Sequence, residues 1–256
     1  MNTVRELPIG IQDFEKLRKD NCLYVDKTQF VYQLTRTGCP YFLGRPRRFG
    51  KSLFLSTLKA YFEGKKELFE GLKITELEKE WTKYPVFYLD FNVGLMTNAG
   101  NAAERLRVKI IELERLWGQR TDTEDTASRF EAVIKNAYEQ TGKPVVVLID
   151  EYDKPLINTM DNETENEKIR TLLKSFYGVL KSADAYLRFV FLTGVTKFSK
   201  VSIFSDLNQN ATAEDALAQI NSKDYAIPYT ADHRKVVKIG VEFSQTERGV
   251  KRWLIE

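Results

Sequence analysis

The sequence predicts an α/β fold, with a mostly parallel sheet held between layers of helices, and three observations predict it. Tyr41 to Leu43 is a short apolar run that passes into a turn rich in Gly and Arg and then into an amphipathic segment. Val145 to Ile149 is an unbroken apolar run, β-branched except at Leu148, as expected of a strand buried on both faces of a parallel sheet. Around these two anchors, β-rich runs alternate with stretches of helical spacing, the order that builds parallel sheets through helical crossovers.

The bulk numbers set the limits. A chain of 256 residues holds one full α/β domain and a small appendage. Hydrophobic residues at 43% and charged residues at 29% fit a globular protein. A net charge of +3 does not mark a nucleic-acid binder by bulk electrostatics, although local Arg clusters remain. Cys22 and Cys39 are too few for a disulfide framework and read as free thiols. The opening stretch MNTVRELPIG has no apolar targeting core, and no run of about 18 apolar residues occurs, so no membrane is expected and a cytoplasmic location is. With His233 alone, histidine-built metal sites and histidine-dependent triads are excluded.

Taken in order, residues 7 to 14, LPIGIQDF, combine Pro, Gly and spaced apolar residues, the mark of an ordered loop. Leu23, Tyr24 and Val25 read as strand-like. From Lys27 the spacing of Phe30, Val31 and Leu34 predicts a helix running to Gly38, with Asp26 as its cap. Packing explains these aromatics; a second role, Tyr24 or Phe30 stacking on a nucleotide base, stays open. Leu53, Leu55, Leu58, Tyr61 and Phe62 predict a helix that ends near Gly64. Lys65 to Trp81 is a charged connection anchored by Phe69, Leu72, Ile74 and Leu77. Pro85 then opens a β-rich run that closes in Asp90 and Asn92. Polar residues at the end of a parallel strand face the ligand crevice, so Asp90 is a site candidate as well as a loop cap.

Residues 101 to 117 predict a charged helix with Leu106, Ile110, Leu113 and Trp117 on one side. Gly118 to Asp125 breaks it. Thr126 to Gln140 predicts another, stopped by Gly142. After the buried run at 145–149, Glu163 to Asp184 is helical, and Leu187 to Leu192 is a further strand ending in Thr193 and Gly194.

The chemistry gathers at two places. In YFLGRPRRFGKSLFL, Tyr41 to Leu55, a strand feeds a glycine turn and a helix N-terminus, the order that brings backbone N–H groups and a partial positive charge to phosphate oxygens. Lys51 would reach the terminal phosphates of a nucleotide, and the Ser52 hydroxyl would ligate its magnesium ion. The nucleotide-binding candidates are Gly44, Arg47, Arg48, Gly50, Lys51, Ser52 and Leu53. Five residues separate Gly44 from Gly50 where the common motif has four, and Pro46 removes one backbone donor. A basic turn before a helix is the plain alternative. The second place is Asp150-Glu151, a carboxylate pair that ends the buried strand. Asp150 would hold magnesium, through water or through Ser52, and Glu151 would polarise the attacking water. Asp153 reads as a capping residue, and Thr193, ending a neighbouring strand, as a sensor of the terminal phosphate.

LPIGIQDF, YVDKTQF, RPRRFGKSL, GKKELFEG, YPVFYLDF, VVVLIDEYDKPL and FLTGVTKFSKVSIFSDLN together resemble the bacterial AAA-ATPase-like proteins, over about residues 5 to 208. The resemblance implies a phosphate-loop (P-loop) NTPase domain over 1–208 and a PD-(D/E)XK nuclease-like domain after it. It implies ATP and magnesium as ligands, Lys51 and Ser52 on the nucleotide and metal, and Asp150 and Glu151 as the acidic pair. It also makes the extra loop residue a habit of the family.

Residues 209–256 resemble only the last part of such a nuclease-like domain: a helix from about Thr212, with Asp215 in a capping position, then strands at Val236 to Phe243 and Val250 to Ile255. Gln219 and Tyr225 fall where those nucleases carry an auxiliary helix. The metal-binding Asp and the Glu-x-Lys strand are missing, which argues against DNA cleavage. An internal deletion accounts for the gap. The two strands are expected to form a hairpin, extend the first sheet or pair with another subunit, because an exposed apolar edge invites aggregation. Arg234, Lys235, Lys238, Lys251 and Arg252 make this tail basic, and a solvated strand edge or DNA-backbone contact would use them. The expected function is a magnesium-dependent ATPase. The alternatives are a nucleotide-binding switch or remnant without turnover and, ranked last, a nuclease.

Overall fold

A computed structural model describes residues 5–36, 40–94, 96–119, 122–195, 212–222, 238–244 and 249–256. Gly38, Cys39, Thr196 to Asn208, Tyr225, His233, Arg234 and Lys235 lie outside them, as do the side chains of Asp215, Gln219 and Lys251. The chain forms two compact units, Met1–Phe204 and Ser205–Glu256.

The first unit is built on a parallel sheet of four strands, β1 (Tyr41–Gly44), β2 (Val86–Asp90), β3 (Val145–Asp150) and β4 (Leu187–Gly194), in the spatial order β1-β4-β3-β2. Strand period decides the layers. Val145, Val147 and Ile149 point to one face, where they meet α5 (Ala99–Trp117), α6 (Thr126–Thr141) and α8 (Glu163–Ser182). Val146 and Leu148 point to the other, with Phe189 and Phe191, under α1 (Phe14–Lys19), α2 (Thr28–Thr35) and α3 (Lys51–Phe62). Every residue of β3 is buried, which is why its sequence shows no polar alternation. The fold is the expected three-layer α/β/α arrangement.

Short polar side chains start the long helices. Asn98, Asp125 and Asn162 accept hydrogen bonds from the backbone N–H groups of Asn101, Ser128 and Glu165, and Gly142 closes α6 in the left-handed conformation. Asp26 accepts from the Thr28 backbone N–H at 2.8 Å and from its hydroxyl at 2.7 Å, so it holds the start of α2 as expected. That helix ends at Thr35. The charged connection folds into a 3-10 turn, Lys66–Phe69, and α4 (Ile74–Leu77), with Phe69, Leu72 and Ile74 buried. The short helix α7 (Lys154–Asn158) follows β3.

Two expectations are corrected. Leu23 to Val25 is not a strand: the Leu23 N–H donates to Glu6 O at 2.8 Å, but that bond is not continued into a ladder, and Tyr24 packs edge-on against Phe14, ring centres 5.1 Å apart. Asp153 sits at the start of α7 but makes no capping bond to it; its carboxylate accepts from the Val195 N–H at 3.0 Å. The backbone beyond β4 competes for that carboxylate and wins.

In the second unit, α9 (Ala213–Ser222) lies against a two-stranded antiparallel hairpin of β5 (Ile239–Ser244) and β6 (Gly249–Ile255). Lys238 donates to Asn221 at 2.6 Å, and Arg252 pairs with Glu214 at 2.8 Å. Of the three pairings open to these strands, the hairpin is adopted.

Candidate functional site

Parallel pairing places the polar strand ends in one row. Gly44 stands opposite Gly194, Leu43 opposite Thr193 and Asp90 opposite Asp150, so the carboxyl ends of all four strands meet at one edge of the sheet. The loop after β1 leaves from this edge. Its first step continues the pairing, with the Arg45 N–H donating to Gly194 O at 3.1 Å. The chain then turns sharply through Arg48 and Gly50, both left-handed at φ +67° and +73°. Gly50 precedes α3 with no side-chain cap, which leaves the first N–H groups of that helix for another partner.

Lys51, the first residue of α3, is only 4% exposed, and its Nζ turns inward. It donates to Arg45 O at 3.0 Å and Pro46 O at 3.3 Å, and lies 3.2 Å from Glu151 Oε1. Buried carbonyls and a carboxylate together offset the cost of taking the ammonium out of water. Pro46 therefore supplies its carbonyl where it lacks an N–H.

The acidic pair is held from β4. Thr193, fully buried, donates its hydroxyl hydrogen to Asp150 Oδ1, and the same oxygen accepts the Glu151 N–H at 3.2 Å. Glu151 is left-handed at φ +53°, a conformation that costs a non-glycine residue about 1 kcal/mol or more and turns its side chain out of strand direction toward Lys51. Lys51, Glu151, Thr193 and Asp150 thus form one continuous polar chain.

Ser52 and Asp150 line a common cavity of about 180 Å³ with Asp90, Asp13, Asn92 and Ser56. Its donors are carboxylate, amide and hydroxyl oxygens, a set suited to a hard cation such as magnesium. Among the described residues no group of three or more Asp, Glu, His or Cys that could hold a metal ion occurs. Asp90 fulfils both readings of it: Oδ1 accepts from the Asn92 N–H at 2.7 Å, and the residue lines the cavity. Burial, then the carboxylates of Asp150, Asp90 and Asp13, push the Tyr88 phenol well above its ordinary value.

The row therefore brings together Gly44, Gly50, Lys51, Ser52, Asp150, Glu151 and Thr193. Leu53 packs partly into the core, and its carbonyl accepts from Ser56 and Thr57. Arg47 and Arg48 are exposed and make no hydrogen bond or ion pair among the described residues. Sequence reasoning missed Gln12, Asp13, Lys59 and Tyr88, which also line the cavity and to which it gave no role. It also missed why Gly194 must be glycine: a Cβ there would meet Tyr152 Cε1 at 2.5 Å and Asp153 Oδ1 at 2.7 Å. The Thr193-Gly194 end of β4 was its signal.

Residues 8–204 match a family model described as "Predicted AAA-ATPase", and residues 200–253 match the PD-(D/E)XK nuclease superfamily. The chain is 42% identical over 206 residues to a protein of Azotobacter chroococcum mcd 1 called "Uncharacterized protein in vnfD 5'region". That alignment covers 80% of this chain and 40% of the relative, so the chain spans well under half the relative's length. No solved structure matches the chain.

Proposed function

We propose, because the chain belongs to the AAA-ATPase-like family, that its first unit binds a nucleoside triphosphate, ATP foremost, and hydrolyses it. The observation that carries the reading is the 3.2 Å separation of Lys51 Nζ and Glu151 Oε1, which puts the cation at the end of the loop and the acid that follows β3 within the span of one phosphoryl group. The uncapped start of α3 and the loop N–H groups would receive phosphate oxygens, and Lys51 would turn from Glu151 onto the terminal ones. Ser52 and Asp150 would hold magnesium, which when bound neutralises charge on the phosphate oxygens. Glu151 would take the proton of a water whose oxygen bonds to the terminal phosphorus as the bond to the bridging oxygen breaks. Thr193 would keep Asp150 and Glu151 in register and sense the terminal phosphate. Arg47 and Arg48, exposed on the loop, would contact the terminal phosphate or a neighbouring subunit, or stay in solvent.

One observation favours a second reading, a nucleotide-holding switch without turnover: Glu151 already has Lys51 as its partner. The second unit is read as a nuclease-like remnant without cleavage, since the chain carries no Glu-x-Lys strand; a nicking assay with magnesium should be negative. Neither the net charge of +3 nor the hairpin calls for a nucleic-acid partner, and self-association is left to the strand edges. Among the described residues no helix is long and apolar enough to cross a membrane. Isothermal titration with magnesium and ATP, together with a phosphate-release assay, tests the proposal. Lys51→Ala should abolish both signals; ATP binding unchanged in that variant would refute the site, and binding without phosphate release would select the switch.

A further inference from the structure

A second concavity, of about 770 Å³, opens beside the loop, and Arg45 and Gly50 belong to its wall. Its size lies in the range of small-molecule sites, roughly 300–1,000 Å³. The rest of the wall comes from the N-terminal loop, α1, the extended segment before α2, α2 itself, β1, α3 and β4, and it is mostly apolar. Phe30 on α2 and Phe49 in the loop are 48% and 61% exposed, and Leu7, Leu23 and Val25 are exposed with them. Large apolar side chains left open around one groove mark a place where something binds. Phe49 stands immediately before Gly50, so an occupant of the groove is continuous with whatever anion the start of α3 receives.

From this continuity we infer that the groove takes the base and ribose of the nucleotide, and that it separates one base from another only weakly, so that the preference for ATP is modest. The inference rests on the phosphate site proposed above. Aromatic rings accept any base, because every base has a π-face. Rejecting one base against another requires buried polar groups, side-chain or backbone, matched to its edge. Among the described residues the groove's side chains offer few. Lys27, Gln33 and Arg45 are exposed, and Tyr24 and Tyr41 carry a single hydroxyl each, that of Tyr24 engaged with Thr57. An apolar wall discriminates between similar ligands by only about 10- to 200-fold.

The test titrates the full chain, with magnesium, against ATP, GTP and inorganic tripolyphosphate, in wild type and in Phe30→Ala, Phe49→Ala and the double variant. Both side chains are exposed, so the variants should melt as wild type does. ATP and GTP should bind within roughly tenfold of each other and both more tightly than tripolyphosphate. Each single variant should weaken ATP roughly tenfold, the scale of one base-to-aromatic stack. The double variant should bring ATP to the level of tripolyphosphate, whose own binding stays as in wild type. ATP binding more than about 200-fold tighter than GTP, or unaffected by the double variant, overturns the inference. Tripolyphosphate separates the two readings. If it binds and Lys51→Ala abolishes that binding, the phosphate site stands whatever the groove does. If neither it nor any nucleotide binds, both readings fall.

Discussion

Lys51 Nζ and Glu151 Oε1 lie 3.2 Å apart with both side chains at least nine-tenths buried, so each is the other's partner. On the ATPase reading proposed above, a phosphate that took Lys51 would displace Glu151 and free that carboxylate for water. Glu151→Gln weakens the competitor and removes the base together. Phosphate release should fall by about 100-fold or more. ADP, whose binding involves no turnover, should bind a few-fold more tightly, since a charge-assisted bond has become a neutral one. Calorimetry with ADP checks this, and unchanged or weaker ADP binding would show that the pair does not compete with phosphate.

The same pair predicts an asymmetry in stability. Lys51→Met leaves Glu151 buried without its cation, a loss of about 3–5 kcal/mol for pairs of this kind. Adding Glu151→Gln removes the stranded charge and should recover much of it, because contacting residues are not additive. Urea unfolding of the two single variants and the double measures the coupling. Simple additivity would mean the ion pair is absent in solution.

Thr193 makes two bonds through one oxygen, donating to Asp150 and accepting from the Glu151 N–H. Thr193→Val keeps the shape and loses both, leaving the N–H of Glu151 and one carboxylate oxygen buried without partners. The expected cost is about 1–3 kcal/mol. Thr193→Ser should restore most of it. Equal losses in the valine and serine variants would point to packing of the methyl group instead.

Much of this was legible before the fold was known, for definite reasons. The run at 145–149 could only be a strand covered on both faces, and Gly50-Lys51-Ser52 could only open a helix. What the residues could not reveal was neighbourhood. β4 lies between β1 and β3, and only that placement makes Thr193 the link between the loop and the acidic pair. Leu23 to Val25 has strand composition but no strand beside it, and local propensity carries no information about partners. Tyr88, Asp13 and Gln12 reach the cavity by packing alone.

Two glycines should separate close approach from backbone conformation. At Gly194 an added Cβ would meet Tyr152 and Asp153 at 2.5 and 2.7 Å, whereas at Gly142 it would meet nothing within 4 Å, although φ is +61°. Gly142→Ala should cost about 1 kcal/mol, for the left-handed backbone alone. Gly194→Ala should cost about 1–3 kcal/mol by overpacking and should displace Asp153 from the Val195 N–H. Because Tyr152 and Asp153 directly follow Glu151, Gly194→Ala should also lower phosphate release, which Gly142→Ala should not. Thermal unfolding and the release assay on both variants decide it.

Glu15 supplies the pH dependence. It lies between Lys19 and Lys65, each 2.6 Å away, and the latter contact ties α1 to the chain just after α3. Bonds to Lys19 and then Lys65 lower its carboxyl from 4.5 to about 2. A depressed folded-state value means that the unfolded chain takes up the proton first. The stability Glu15 contributes is therefore fully present above about pH 5 and is lost as pH falls toward 2. Glu15→Gln should be less stable than wild type at pH 7, and the gap should narrow at pH 4 and be mostly gone at pH 2.5. The side chain is one-third exposed, so the gap should be modest and shrink with added salt. Urea melts of both proteins at pH 7, 4 and 2.5 give the comparison; a gap that stays constant across them would mean that Glu15 contributes through packing and not through its charge.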